Sequence, residues 1–181
     1  MAMIIRTARL TLRPLMREDL PDLVRTLNNL NISRWLARVP YPYTLTDAED
    51  FLSLCATPKD NSLRLAITMG GSVIGFISYE QAEDGISAEF GYWLAQQCWR
   101  QGYMREAAEA MVAHAFTEGG QDILISGCFE GNAGSRRILE NLGFIPTGQR
   151  GYTCRADGQP RRGTAFALAR GRWEQLRERH K

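Results

Sequence analysis

Apolar residues recur along this chain in two periods, and the switches between them mark out the elements. "RLTLRPL", Arg9 to Leu15, alternates apolar and polar positions, which predicts a strand ended by Pro14. In "REDLPDLVRTLNNL", Leu20, Leu23, Val24 and Leu27 fall at helical spacing. "NISRWLARVPYPYT" is aromatic and carries prolines, so it reads as a loop or short helical turns. "TDAEDFLSLC" predicts a helix with Thr46 at its N-cap and Glu49 completing a capping box. "LRLAITM" and "SVIGFISYEQ" are strands joined across Gly70-Gly71, a hairpin. "ISAEFGYWLA" gives a further strand, Ile86 to Leu94, after an Asp84-Gly85 turn.

A long helix follows. Met104, Ala107, Ala108, Met111, Val112, Ala115 and Phe116 repeat at helical spacing without a gap, and Gly119-Gly120 ends the run. "DILISGCF" is continuously apolar, as expected of a strand buried on both faces. "NAGSRRILENLGF" is a short helix with Asn132 as its cap and Gly143 at its exit. "FIPTGQR" and "GTAFALAR" are two last strands, joined by a loop holding Asp157-Gly158, and "RWEQLRERH" closes the chain as a helix. There is no repeat, low-complexity tract or linker. The order predicts one mixed α/β (α+β) domain over residues 1–181.

Composition narrows the function classes. With 181 residues, 44% hydrophobic and 23% charged, the chain suits a single soluble domain. A net charge of +2 with no basic stripe gives no support to nucleic-acid binding. Lys59 and Lys181 are the only lysines against a large excess of arginine. Cys55, Cys98, Cys128 and Cys154 are scattered and the only histidines are His114 and His180. No C-x-x-C occurs, so neither a metal site nor a disulfide framework is expected. "MAMIIRTARLTLR" has arginines where a signal peptide needs an apolar run, and Leu65 to Tyr79 is too short to span a membrane. The expectation is a cytoplasmic protein.

Three stretches carry candidate chemistry. "CWRQGYMREAAEAMV" opens a helix with a bare glycine, where Ser, Asp or Asn would cap better. Either Gly102 is simply tolerated at a turn, or the exposed amides there hold an anion, helped by Arg100 and Arg105. Neither G-x-G-x-x-G nor a P-loop is present. In "NAGSRRILENLGF" Asn132 can cap the helix, with Ser135 one turn in and Arg136 and Arg137 as surface charges. In "SAEFGYWL" Ile86, Ala88, Phe90, Tyr92 and Leu94 share one face, while Glu89 lies opposite with Ser87, Gly91 and Trp93. Glu89 either faces solvent on a half-exposed sheet or stands ready for chemistry, and Gly91 marks a bulge or the close approach of a ligand.

Taken together, "AEFGYWLAQQCWRQGYMREAAEAM" and "NAGSRRILENLGF" resemble the acyl-CoA-binding core of the GNAT superfamily of N-acetyltransferases. Glu-x-Gly-Tyr-Trp-Leu before the glycine turn, and Asn-x-x-Ser before Leu-Gly-Phe, are similar to the Rim group of ribosomal-protein N-terminal acetyltransferases. "RLTLRPLMREDLPDLV" and "RWLARVPYPYTLTDAEDFL" resemble that group's early elements, so the likeness runs from about Ala8 to about Arg170. Trp99 and Met104 depart from the superfamily's Gln/Arg-x-x-Gly-x-Gly/Ala turn, and Arg105 follows where a small polar residue is usual.

The resemblance implies a mostly antiparallel sheet, splayed between the fourth and fifth strands, with helices on both sides. It implies acetyl-CoA as donor and a primary amine as acceptor. Tyr92, Trp93, Leu94, Arg100, Gln101, Gly102, Tyr103, Met104, Arg105, Asn132, Ser135 and Arg136 would bind the cofactor, with an amide near Tyr92 or Trp93 stabilising the thioester oxygen. Glu89 matches the base, and Ser135 the group at the leaving thiolate. Trp35, Tyr41, Tyr43 and Tyr152 would line the acceptor mouth. Arg155, Arg161 and Arg162 near Tyr152 favour an acidic acceptor or a carboxylate beside the amine. The leading acceptor is a protein N-terminus; a small amine such as an antibiotic or polyamine, or a non-catalytic acyl-CoA-binding module, are the alternatives. No nucleic-acid or membrane partner is implied, and a homodimer is compatible.

Overall fold

The computed structural model describes residues 3–57 and 61–179. An eight-stranded sheet forms the frame. β1 (Ile5–Arg6), β2 (Thr11–Arg13), β3 (Leu63–Met69), β4 (Ser72–Gln81) and β5 (Ala88–Leu94) lie side by side in chain order, each pair antiparallel. β6 (Ile123–Phe129) follows, then β8 (Pro160–Ala169), with β7 (Ile145–Thr153) on the far edge. β5 and β6 are parallel and pair only at Ala88–Leu124 and Glu89–Ile125. Ser126 Oγ donates to the Phe90 carbonyl at 2.8 Å. Past that bond the two strands share no ladder, so the sheet is splayed at the expected strands.

Helices cover both faces. One core holds the apolar face of α4 (Tyr103–Phe116) together with α5 (Ala133–Asn141), Phe90, Leu124 and Phe166. Each α4 residue placed on the apolar face by periodicity, from Met104 to Phe116, is buried there. The other core packs α1 (Leu20–Leu27), α2 (Leu30–Ser33) and α3 (Leu45–Ala56) against Ala66, Val73, Phe76 and Trp93. α6 (Arg170–Glu178) closes the described chain, its Trp173 against Phe116.

Some local expectations give way. A short β1 precedes the first expected strand, held to β2 by two pairs, a length too brief for periodicity to register. α3 begins at Leu45, because Thr44, not Thr46, caps it: Thr44 Oγ1 accepts from the Asp47 amide while the Asp47 carboxylate takes the Thr44 amide. Ile86 is exposed and Ser87 buried, the reverse of the alternation. The Asp84 carboxylate accepts from the Ile86 and Ser87 amides and the Ser87 hydroxyl, so a turn persists to residue 87 and the strand alternates only from Ala88. β6 is not buried on both faces, for Gly127 is exposed. Gly91 makes no bulge; the β4–β5 register runs unbroken through it. Among the described residues no helix is long and apolar enough to cross a membrane.

Candidate active site

The glycine turn is the first component. Arg100 and Gly102 both take positive φ, 62° and 82°, and the second places Gly102 as the N-cap of α4 with no side chain capping the helix. A Cβ on Gly102 would sit 3.3 Å from Arg9 Nη2. Consecutive amides in such a turn form an anion-binding concavity, reinforced by the helix dipole. Arg100, Gln101, Gly102 and Arg105 are exposed there, and Tyr103 is half-buried. Met104 is buried in the core, so only its amide can serve a ligand. Arg105 is spent on Glu109 at 2.7 Å.

Sequence reasoning missed what holds this turn. Arg9, from the β1–β2 connection, donates to the Gln101 carbonyl at 3.0 Å, pairs with Glu106 at 2.7 Å and lies 4.4 Å over the Tyr103 ring. Thr7 Oγ1 donates to Glu106 at 2.6 Å. Burial alone would push the Glu106 carboxyl up, but the bonds from Thr7 and Arg9 and the Arg9 charge bring it below its ordinary range. No local signal in the sequence links residues so far apart. A polar hollow of about 270 Å³ lies beyond the latch, between residues 6–11 and the Gly70-Gly71 turn, away from Glu89.

The second helix start differs. Asn132 Oδ1 accepts from the Ser135 amide at 3.1 Å, an ordinary cap. Ser135 Oγ lies 3.0 Å from the Tyr92 hydroxyl, which also donates to the Ser135 carbonyl. Burial pushes the Tyr92 phenol well up, with Ser135's bond offsetting it in part, so the ring stays protonated. This hydroxyl pair joins β5 to α5 across the opening between β5 and β6. Cys128 is buried nearby on β6, and burial pushes its thiol up. Arg136 turns to Glu140 at 2.8 Å. Trp93 and Leu94 are buried in the two cores, so they can offer a ligand only backbone, less the Leu94 carbonyl, which accepts from Trp99 Nε1 at 2.8 Å.

Glu89 is on the opposite face from Tyr92, toward α1–α3, with its side chain 42% exposed. It pairs with Arg38 Nη2 at 2.8 Å, a contact the sequence did not reveal because Arg38 lies in a stretch read as a loop or short helical turns, with no period to orient it. Next along the strand, nothing lies within 4 Å of where a Gly91 Cβ would stand, so the face beside Glu89 is open. Tyr152 crosses Gly127, which has no room for a side chain under that ring, and meets Phe129 edge-on. Its hydroxyl is buried without a partner among the described residues, and burial pushes its phenol up. The Trp35 ring approaches Gly131, which begins the turn into α5. Tyr41 is exposed. Tyr43 is set apart from the mouth: it is buried among α1 and α3 and donates to the Asp47 carbonyl, a packing role. The structure therefore gathers Glu89, Trp35 and Tyr152 on one side and Tyr92, Asn132 and Ser135 on the other.

Comparison with known proteins gives this arrangement a setting. The family model described as an acetyltransferase (GNAT) domain matches residues 9–145, more than half of the chain. The Putative ribosomal N-acetyltransferase YdaF of Bacillus subtilis (strain 168) is 25% identical over 115 residues, a match spanning 63% of this chain and 63% of that protein. Among solved structures, Mycobacterium smegmatis RimJ in complex with CoA-disulfide superposes with a TM-score of 0.77 at 20% identity, covering 93% of this chain and 86% of that one. Spermidine N-acetyltransferase from Vibrio cholerae, in complex with CoA and spermine, gives 0.78 at 20% identity, covering 92% and 99%. At these identities the structural likeness is one of fold.

Proposed function

The chain belongs to the GNAT acetyltransferase family, and from that premise we propose that it moves the acetyl group of acetyl-CoA to the α-amine at a protein N-terminus. One observation carries the reading. Where β5 and β6 stop pairing, a half-buried carboxylate, Glu89, stands on one face and a hydroxyl pair, Tyr92 and Ser135, on the other.

Those residues divide the work. The amides of the turn at residues 100–105 suit a pyrophosphate, since no side chain caps them and Gly102 lets a phosphate come close. An ammonium cannot attack a carbonyl. Glu89 takes one proton, directly or through water, the nitrogen forms the new C–N bond, and the second proton it sheds passes to solvent. As the C–S bond breaks, the electron pair leaves with sulfur on the far side, where Ser135 and Tyr92 offer hydroxyl protons. Ser135 either gives a proton, regained from solvent, or only hydrogen-bonds the thiolate. An α-amine, with a pKa of about 7.7–8.0 against about 10.4 for lysine, needs the less help from such a base.

The likeness to a spermidine acetyltransferase supports a second acceptor, a small polyamine. Acetyl-CoA consumption measured across N-terminal peptides, aminoglycosides and polyamines separates the readings. Turnover on peptides is expected. Turnover confined to a small amine would replace the acceptor, and CoA binding without turnover on any class would make the protein a non-catalytic module.

A further inference from the structure

Arg38 has no role in the chemistry above, yet its position bears on it. It extends from the segment between α2 and α3, its side chain is 78% exposed, and its guanidinium is paired with Glu89. Glu89 is the group that has to meet the acceptor's ammonium. In the free protein a cation of the chain therefore stands where the substrate's cation must go.

More guanidinium groups surround that place. The tip of the β7–β8 hairpin is docked on the Arg38 segment: the Arg155 amide donates to the Ala37 carbonyl at 3.1 Å, and Arg161 Nη1 to the Arg34 carbonyl at 3.0 Å. Arg34 lies 4.7 Å over Trp35, and Arg150 lies 5.4 Å over Tyr152. Arg161 is paired with Asp157. Arg34, Arg150 and Arg155 have no ion-pair partner among the described residues. Glu89 and Asp157 are thus both engaged, Asp47 is bonded to Thr44 and also feels the Arg155 charge, and Glu130 stands exposed beside Gly131, while Arg34 and Arg150 have no acidic partner among the described residues.

We propose that the acceptor is a polypeptide with a carboxylate within its first few residues, and that Arg38 passes from Glu89 to that carboxylate as the α-ammonium takes Glu89. This rests on the assignment of Glu89 as the base. The exchange turns one internal pair and one substrate zwitterion into two pairs, leaving no charge alone. A neutral peptide strands Arg38 without a partner, and a polyamine brings more positive charge against Arg34, Arg150 and Arg155. The resident pair can give way, because exposed ion pairs are worth little. The flat guanidinium suits a carboxylate that offers two oxygens.

The test uses three peptides of one length and one first residue, serine, with glutamate, glutamine or lysine at positions two and three, and spermidine beside them. The enzymes are the wild type, R38Q and R38K. For the wild type, kcat/KM falls from the glutamate to the glutamine peptide by about tenfold, as for loss of a charge-assisted hydrogen bond, and falls again for lysine and spermidine. R38Q raises KM for the glutamate peptide and lowers it for the glutamine peptide, opposite movements that a folding defect does not give. R38K restores part of the preference. Equal rates on all three peptides, or a glutamate preference untouched in R38Q, overturns this inference and leaves the peptide acceptor standing. Turnover of spermidine alone overturns the peptide acceptor and this inference with it.

Discussion

The two walls of the cleft are made differently. The wall proposed for the cofactor is backbone at the starts of two helices, one bare at Gly102 and one capped by Asn132. The wall proposed for the acceptor is side chains from distant segments: Glu89 on β5, Arg38 and Trp35 after α2, Tyr152 on β7. Amides presented by a turn are fixed by a few neighbouring residues. An ion pair between residues 38 and 89 is fixed only by the whole fold. A wall built locally stays constant while its opposite varies, which is how one scaffold takes many acceptors.

Substitutions can separate the walls, and the largest expected effect is at Glu89. Glu89→Gln keeps the shape and removes proton acceptance, so kcat should fall roughly 10²-fold at neutral pH. Raising the pH should recover part of the loss, since free amine then forms without a base, and acetyl-CoA affinity should be nearly unchanged. A pH–rate profile with wild-type rates throughout would return Glu89 to a solvent-facing residue. On the other wall, Gly102→Val should weaken acetyl-CoA binding more than tenfold, above about 1.4 kcal/mol. Calorimetric titration of the folded variant reads this, and unchanged affinity would reduce the glycine to a turn residue. The smallest effect is at Ser135→Ala. Losing one hydroxyl near the leaving sulfur should slow kcat by about 2- to 10-fold, the worth of a neutral hydrogen bond, and high pH should not rescue it. Rescue by pH there would place Ser135 with Glu89 on the proton-abstraction side.

The same division explains what could be read before the fold was known. The apolar face of α4 was legible to the residue and Gly102 marked its start, although the helix ends at Phe116, capped by Thr117, before Gly119-Gly120. The Asn132 cap on Ser135 was legible for the same local reason. Glu89's face was readable from strand alternation, although the alternation failed two residues earlier, where Asp84 holds the chain in a turn. The Arg9–Glu106 latch and the Arg38–Glu89 pair were not, since each joins segments with no shared period. Tyr43 shows the opposite error: an aromatic in a loop-like stretch reads as a mouth residue, yet its neighbours in α1 and α3 make it core. Tyr92 was read for its amide, whereas its hydroxyl reaches Ser135 across the opening.

The short β5–β6 pairing has a thermodynamic side. Two ladder pairs and one serine bond are the whole backbone seam between the five-stranded and three-stranded halves of the sheet. Beyond it, the edge of β5 that faces away from β4 has no strand partner, and apart from the Leu94 carbonyl, which accepts from Trp99 Nε1 at 2.8 Å, it can pair with a ligand that has amides of its own. A molecule seated there fastens the halves together, so its binding free energy becomes folding free energy. At a concentration one hundred times its dissociation constant that amounts to about 2.7 kcal/mol. If the proposed acetyl-CoA is that molecule, the protein's resistance to heat rises with the supply of its donor.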